Sequence, residues 1–383
     1  MLIDNAYIHK RLDDLIKEKQ NSAQAEKENA DKLYRIKMRF PKWLRIMVFH
    51  PFNPAYSVYL QRKASRNKSK NDFMALGALH PLAVDFVKYC FQKDINFNPS
   101  SFYPKEDESE IVQFIDNRLK SVIPGYNYLK TNEQHKDILK KKKVIEDATR
   151  KVENGYSLAL DGYDYFLPSN SFQEHTYIHE YGLKYLPAYV HGFIAGKDFL
   201  DIGAYLGDTS IMLLKKYKPE KVYAYEPVTA NAEHLKETIR MNNTDRIIVV
   251  NRGMGDKEED IDIYINPDQL SSCSTNDALA ATSSIKEKIH ITTIDKECKD
   301  RKVGLIKMDI EGAEYSAIQG GKETIKRDKP VLLISLYHTG KDFFEIPAVL
   351  KEWVPDYNFR FMNIEIQNPI SEKILVAYPK QTK

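Results

Sequence analysis

The sequence predicts an α/β fold: a mainly parallel sheet covered by helices on both faces, preceded by a mostly helical N-terminal domain. Three observations predict it. Beyond residue 152, short apolar runs alternate with helical patterns, the mark of strand–helix–strand units. An apolar run at 198–202 enters a glycine turn, and a helix starts at once. The last two apolar runs, 358–366 and 373–378, are joined by a turn containing Asn368 and Pro369, as an antiparallel edge hairpin would be.

The elements follow in chain order. Residues 2–37 are polar and helical, with a thin apolar stripe of Ile8, Leu12, Leu15, Ile16, Leu33 and Ile36; this reads as a solvated helix or a weak coiled coil. Between Phe40 and Phe52, Pro41 can open and Pro51 close a short apolar helix. That helix is either part of a small N-terminal core or a segment lying in a lipid interface. Asn53 to Tyr56 is a turn. Helices are expected at 72–98, 108–123 and 131–152, and the boundary between the two domains, 1–152 and 153–383, falls there. Alternating residues 156–160 and 163–167 around Asp161-Gly162 predict a hairpin. Strands then follow at 198–202, 221–226, 246–251, 260–265, 288–292, 304–309, 330–336, 358–366 and 373–378. Helices fall between them near 207–217, 228–242, 313–327 and 342–352.

Composition excludes several classes. Of 383 residues, 42% are apolar and 29% charged, the balance of an ordinary soluble protein, and no apolar run approaches the roughly 20 residues of a membrane span. Residues 1–11 lack the apolar core of a secretion signal, and Cys90, Cys273 and Cys298 are too scattered for a metal or disulfide framework. A cytoplasmic protein is expected. The formal net charge of +3 hides an asymmetry: residues 1–150 carry 28 Lys and Arg against 19 Asp and Glu, and the remainder is net acidic. Between Asp31 and Asp72 there are eleven basic residues and no acid. Residues 32–70 therefore point to an anionic partner, with the inner face of a membrane as the candidate surface. The N-terminal helices are a candidate self-association surface.

The stretch Leu200-Asp-Ile-Gly-Ala-Tyr-Leu-Gly-Asp-Thr-Ser210 is the turn a nucleoside cofactor needs. Gly203 takes a backbone conformation closed to side chains, Gly207 lets the helix approach the ligand, and the free N–H groups at the helix start face it. The spacing D-x-G-x-x-x-G-D lacks the middle glycine of a dinucleotide site, which disfavours an NAD enzyme. Asp201 and Asp208 would repel a diphosphate and suit a cofactor with a positive amino-acid end, such as S-adenosylmethionine (SAM).

Later strand tips carry the rest. Glu226, followed by Pro227, ends a strand and can accept both ribose hydroxyls or cap the helix after Val228. Asn251-Arg-Gly-Met-Gly-Asp256 is either a plain turn or a contact to the adenine edge, made by Asp256 or the Met254 backbone. In Leu305-Ile-Lys-Met-Asp-Ile-Glu-Gly-Ala-Glu314, three carboxylates crowd one strand tip, a costly arrangement unless they bind or react. Ile334-Ser-Leu-Tyr-His338 adds an imidazole at the same edge.

Six stretches in this order (LDIGAYLGDTS, YAYEP, ITTID at 291–295, LIKMDIEGAE, ISLYH and EKILVAYP) resemble the FkbM-type SAM-dependent methyltransferase family over about residues 153–383. The resemblance implies a class I methyltransferase (Rossmann-like) sheet of seven strands and O-methylation of sugar or polyketide hydroxyls. SAM would be held by Asp201, Gly203, Ala204, Tyr205, Gly207, Asp208, Thr209, Ser210, Glu226, Pro227, Asp256 and Asp309.

Methyl transfer from a sulfonium is an in-line displacement, and a hydroxyl acceptor must lose its proton to a base. His338 ranks first as that base, with Asp309 and Glu311 as the other candidates. No metal site is expected, although Asp309, Glu311 and Glu314 are the oxygen donors a hard cation would take. The expected acceptor is a glycan or another hydroxyl-bearing small molecule. The alternatives are a nucleic-acid methyltransferase using the basic N-terminal stretch, although nucleic acid is not the expected partner, and a SAM-binding scaffold without catalysis, which Asp309 and His338 disfavour.

Overall fold

A computed structural model describes residues 1–38, 73–75, 81–123, 127–129, 132–265, 273–274, 285–365 and 368–381. The central element is a seven-stranded sheet: β1 (Asp198–Ile202), β2 (Val222–Tyr225), β3 (Ile247–Val250), β4 (Val303–Met308), β5 (Val331–Ser335), β6 (Tyr357–Asn363) and β7 (Lys373–Pro379). Their spatial order is β3-β2-β1-β4-β5-β7-β6. The first five run parallel, and β7 and β6 close the edge antiparallel. This is the class I methyltransferase fold.

The sequence explains the layering. β4 and β5 are buried at every position, as strands covered on both faces must be. One cluster, including Leu200, Ile306 and Leu332, fills one face. A second, including Phe199, Leu305 and Leu333, fills the other against the hairpin Gly155–Leu160 and Tyr163–Leu167. The order reverses between β1 and β4, so the carboxyl ends of both strands open onto one crevice.

The expected boundary at 152 does not separate two cores. Phe86 on the Pro81–Gln92 helix and Phe114 on the Glu108–Ser121 helix share a cluster with Phe343 and Phe361, with Phe86 and Phe343 ring centroids 5.5 Å apart. Asp107 receives Arg360 Nε at 2.9 Å and Nη2 at 2.8 Å, a fork geometry that fixes register as well as charge. The helices Pro81–Gln92 and Glu108–Ser121 thus form an outer layer on the core of the sheet. The long helix Asn5–Met38 is present. The apolar segment Phe40 to Phe52, the turn at Asn53 and most of the basic run 32–70 lie outside the described residues.

Two other expectations change. The helix expected at 313–327 is two, Glu314–Gln319 and Lys322–Asp328. Asp295 explains the break: its N–H donates to Gly320 O at 2.9 Å, and its carboxylate accepts from Glu323 N at 3.0 Å and Thr324 N at 2.7 Å, capping the second helix. The runs at 260–265 and 288–292 leave the main sheet. They pair antiparallel as Glu259–Ile265 and Ile285–Thr292 in a separate small sheet with Gly253–Met254 and Cys273–Ser274. No helix among the described residues is long and apolar enough to cross a membrane.

Candidate active site

A cavity of about 610 Å³ opens at the carboxyl edge of the sheet. Gly203, Tyr205, Asp208, Thr209, Glu226, Pro227, Asp309 and Glu311 line it. Gly203 has φ +79°, and a side chain there would collide with Asp309 O. Its N–H and that of Ala204 both donate to Tyr225 O at 3.0 Å. The turn after β1 is therefore clamped between the tips of β2 and β4.

Glu226 is almost fully buried. Its Oε2 accepts from Tyr205 N at 2.9 Å, and its Oε1 from Val228 N at 3.1 Å and Asn231 Nδ2 at 3.2 Å. Both of its expected roles are compatible with that geometry. The carboxylate caps the Thr229–Met241 helix, and Oε2 keeps one acceptor site for a ribose hydroxyl. Burial raises its pKa, against the three donors that favour the charge.

Several expected contacts do not reach the cavity. Asp201 is fully buried beneath it: its Oδ2 accepts from Ser210 Oγ at 2.6 Å, and its Oδ1 lies 3.2 Å from Lys307 Nζ. Ser210 and Ala204 are buried with it. Gly207 faces inward, with φ +80°, and a side chain there would strike Leu235 Cδ1. It permits close helix packing, not close approach to a ligand. Asp256 is exposed on the outside; Met254 lines the cavity in its place, backed by Ile261, Ile263, Ile289 and Ile291 of the small sheet. That apolar wall suits the face of an adenine.

His338 does not line the cavity either. It is buried behind Tyr337, with Nδ1 2.8 Å from Glu314 Oε1 and Nε2 3.5 Å from Asp309 Oδ1 and 3.6 Å from Glu311 Oε2. Burial works against its charge, but these carboxylates outweigh it and push the imidazole up to about 10. An imidazolium with no opening to the cavity cannot take a proton from a substrate at neutral pH. Its place as base is corrected for that reason.

The carboxylates themselves divide. Glu314, fully buried, accepts from Ile310 N at 2.8 Å and Gly312 N at 2.9 Å and so pins the loop after β4. Asp309 accepts from Tyr337 Oη at 3.1 Å and Tyr181 Oη at 3.4 Å. Burial pushes its carboxyl up, but His338 and Lys307 hold it below the ordinary range. Glu311 is the most accessible of the three. It faces the cavity with φ +58°, a left-handed conformation uncommon for this residue, and burial raises its carboxyl to about 7.

Sequence reasoning missed Lys307, Tyr181, Tyr337, His175, Glu365 and Glu372, all lining the cavity. Lys307 had a readable signal, a lysine inside the apolar run of β4. Its ammonium donates to Gly203 O at 2.7 Å. Arg118, buried on the N-terminal layer, donates to the Tyr337 carbonyl and ties that layer to the site.

Residues 201–361 match the family model of the methyltransferase FkbM domain. This part of the chain is an FkbM methyltransferase domain. The cofactor of such a domain is SAM, and the cavity fits it: an acidic ribose partner at Glu226, an apolar wall at the small sheet, and the Asp208 carboxylate near the turn. No curated protein matches the chain. Among solved structures, the methyltransferase FkbM from Methylobacillus flagellatus KT is 19% identical, aligned over 82% of this chain and 60% of that one, with a TM-score of 0.46. The chain thus spans less than two thirds of that protein. An rRNA methylase from Streptococcus thermophilus is 10% identical over 55% and 99% of the two chains, TM-score 0.34. M. jannaschii TYW2, solved with AdoMet, is 13% identical over 60% and 97%, TM-score 0.31.

Proposed function

We propose that the FkbM domain transfers the SAM methyl group to a hydroxyl of a sugar, on a surface glycan or its precursor, with Glu311 as general base. The observation that carries this reading is Glu311: a cavity-facing carboxylate whose pKa sits near neutral. A base is most effective when its pKa lies near the working pH. Asp309, Glu365 and Glu372 surround the same cavity. Carboxylates accept hydrogen bonds from hydroxyls and repel phosphates, which favours a sugar over a nucleic acid.

The chain's residues have separable tasks. Glu226 and the turn after β1 orient the cofactor, and the isoleucine wall excludes water from its base. SAM supplies the electrophilic methyl group. Tyr181 and Tyr337 hold the Asp309 carboxylate in place. The buried His338–Glu314 pair fixes the loop that carries Glu311, and Glu311 takes the acceptor proton.

The basic stretch 32–70 supports docking on an anionic membrane face, where a lipid-linked glycan precursor would be met. Each basic residue near such a surface contributes roughly 1 kcal/mol. Incubation of the full chain with labelled SAM and cell-envelope glycans tests the reaction. Label is expected in glycan and not in RNA; label in RNA alone would overturn the acceptor class. Co-sedimentation with vesicles tests the docking, which is wrong if anionic and neutral lipid bind equally.

A further inference from the structure

The cavity has a second end, away from Glu226. Glu365 follows β6 and Glu372 precedes β7, so the antiparallel hairpin brings both to the carboxyl edge of the sheet. His175, on the short helix Glu174–Tyr177, meets them there. One ligand atom from each of the three lies within 4.8 Å of the others. Ligands bonded to one metal at about 2.1 Å span up to roughly 4.2 Å, so side-chain shifts of about half an ångström would close the set.

Two of the three groups, His175 and Glu372, are poorly satisfied as they stand. Among the described residues His175 Nδ1 is buried with no hydrogen-bond partner, and it lies 3.7 Å from Glu372 Oε2, beyond hydrogen-bond range. The Glu372 carboxylate accepts no hydrogen bond among the described residues, and the residue is held at φ +54°. Strained backbone of this kind persists where the surroundings impose it and gathers at functional sites. The other carboxylate–imidazole group, Asp309, Glu314 and His338, differs: both Glu314 oxygens are occupied by backbone N–H groups and His338 supplies the positive charge.

We propose that His175, Glu365 and Glu372 bind a divalent cation of borderline softness, Mn²⁺ or Zn²⁺, at the acceptor end of the cavity. One imidazole and two carboxylates are the donors such ions accept. Three protein ligands leave open positions, the pattern of a catalytic site. The inference rests on the methyltransferase reading for its role, which is to bind the acceptor hydroxyl and ease loss of its proton. The O–H proton passes to the Glu311 carboxylate. The oxygen pair forms the bond to the methyl carbon, and the carbon–sulfur pair returns to sulfur, leaving a methyl ether and S-adenosylhomocysteine.

The test is titration of the full chain with Mn²⁺ alone, followed by electron paramagnetic resonance, with Zn²⁺ as competitor. Wild type is expected to take one Mn²⁺ that Zn²⁺ displaces. Glu372→Gln should weaken it at least about tenfold while SAM affinity by calorimetry is unchanged; Asp300→Asn, an exposed acid outside the cavity, should bind as wild type. If Glu372→Gln fails to fold, His175→Ala is judged by the same two measurements. Absence of binding by wild type, or equal binding by the variants, overturns the site. Metal binding without SAM binding by wild type would instead overturn the methyltransferase reading.

Discussion

Lys307 and Asp201 are register partners on β4 and β1, both buried, with Nζ 3.2 Å from Oδ1. The same ammonium holds the Gly203 carbonyl at 2.7 Å. An ion pair at the centre of the sheet thus fixes the turn that carries the cofactor. Removing one member leaves a buried charge without its partner, which costs about 3–5 kcal/mol. Lys307→Met is expected to destabilise the fold by that amount in urea denaturation. Adding Asp201→Asn should restore part of it. Equal stability of Lys307→Met and wild type would mean that the pair does not hold the turn.

Glu226 gives a prediction about the cofactor alone. A glutamine there offers one acceptor oxygen where the carboxylate offers two, so it cannot serve the Tyr205 N–H, the helix cap and a ribose together. Loss of hydrogen bonds to a charged group weakens binding by about 1.5–3 kcal/mol. Glu226→Gln should therefore show weaker SAM binding in calorimetry, and unchanged affinity would remove Glu226 as the ribose partner.

Much of this site was legible because chemistry collects at the carboxyl ends of parallel strands. Gly203, Glu226 and Asp309 follow β1, β2 and β4, and the strand–helix rhythm places them at one edge without any knowledge of contacts. What escaped came from other sources. His175 lies on a short helix before β1, and Tyr181 stands at φ +48° in the segment just after it. Glu365 and Glu372 sit in the hairpin connection, where periodicity says nothing about direction. At Tyr337 and His338 the motif was located but the choice between neighbours was not: the tyrosine lines the cavity and the histidine is buried behind it. The isoleucine wall was hidden because two strands that look like members of the main sheet form their own.

Glu311 should govern the pH profile. Its carboxyl, raised to about 7, must be ionised to accept a proton, so turnover is expected to rise with pH through about 7 and then level. Glu311→Gln should lower kcat by about 10²–10⁴, with SAM affinity intact. A profile that keeps its rise near neutrality in Glu311→Gln would assign the base elsewhere.

His338 should govern stability. Folding raises its pKa from 6.5 to about 10, so its charge contributes fully below about 6.5 and the contribution is lost as pH climbs through about 10. The stability gap between wild type and His338→Gln, from denaturation at successive pH values, should narrow across that window. A gap that widens would show that the imidazole is neutral in the folded protein.

The most direct measurement is mass spectrometry of cell-envelope glycans from cells with the gene, without it, and with the Glu311→Gln form. The account predicts a glycan heavier by one CH₂ only where the intact protein is present. Identical glycans in all three, or the added CH₂ persisting with Glu311→Gln, would contradict it.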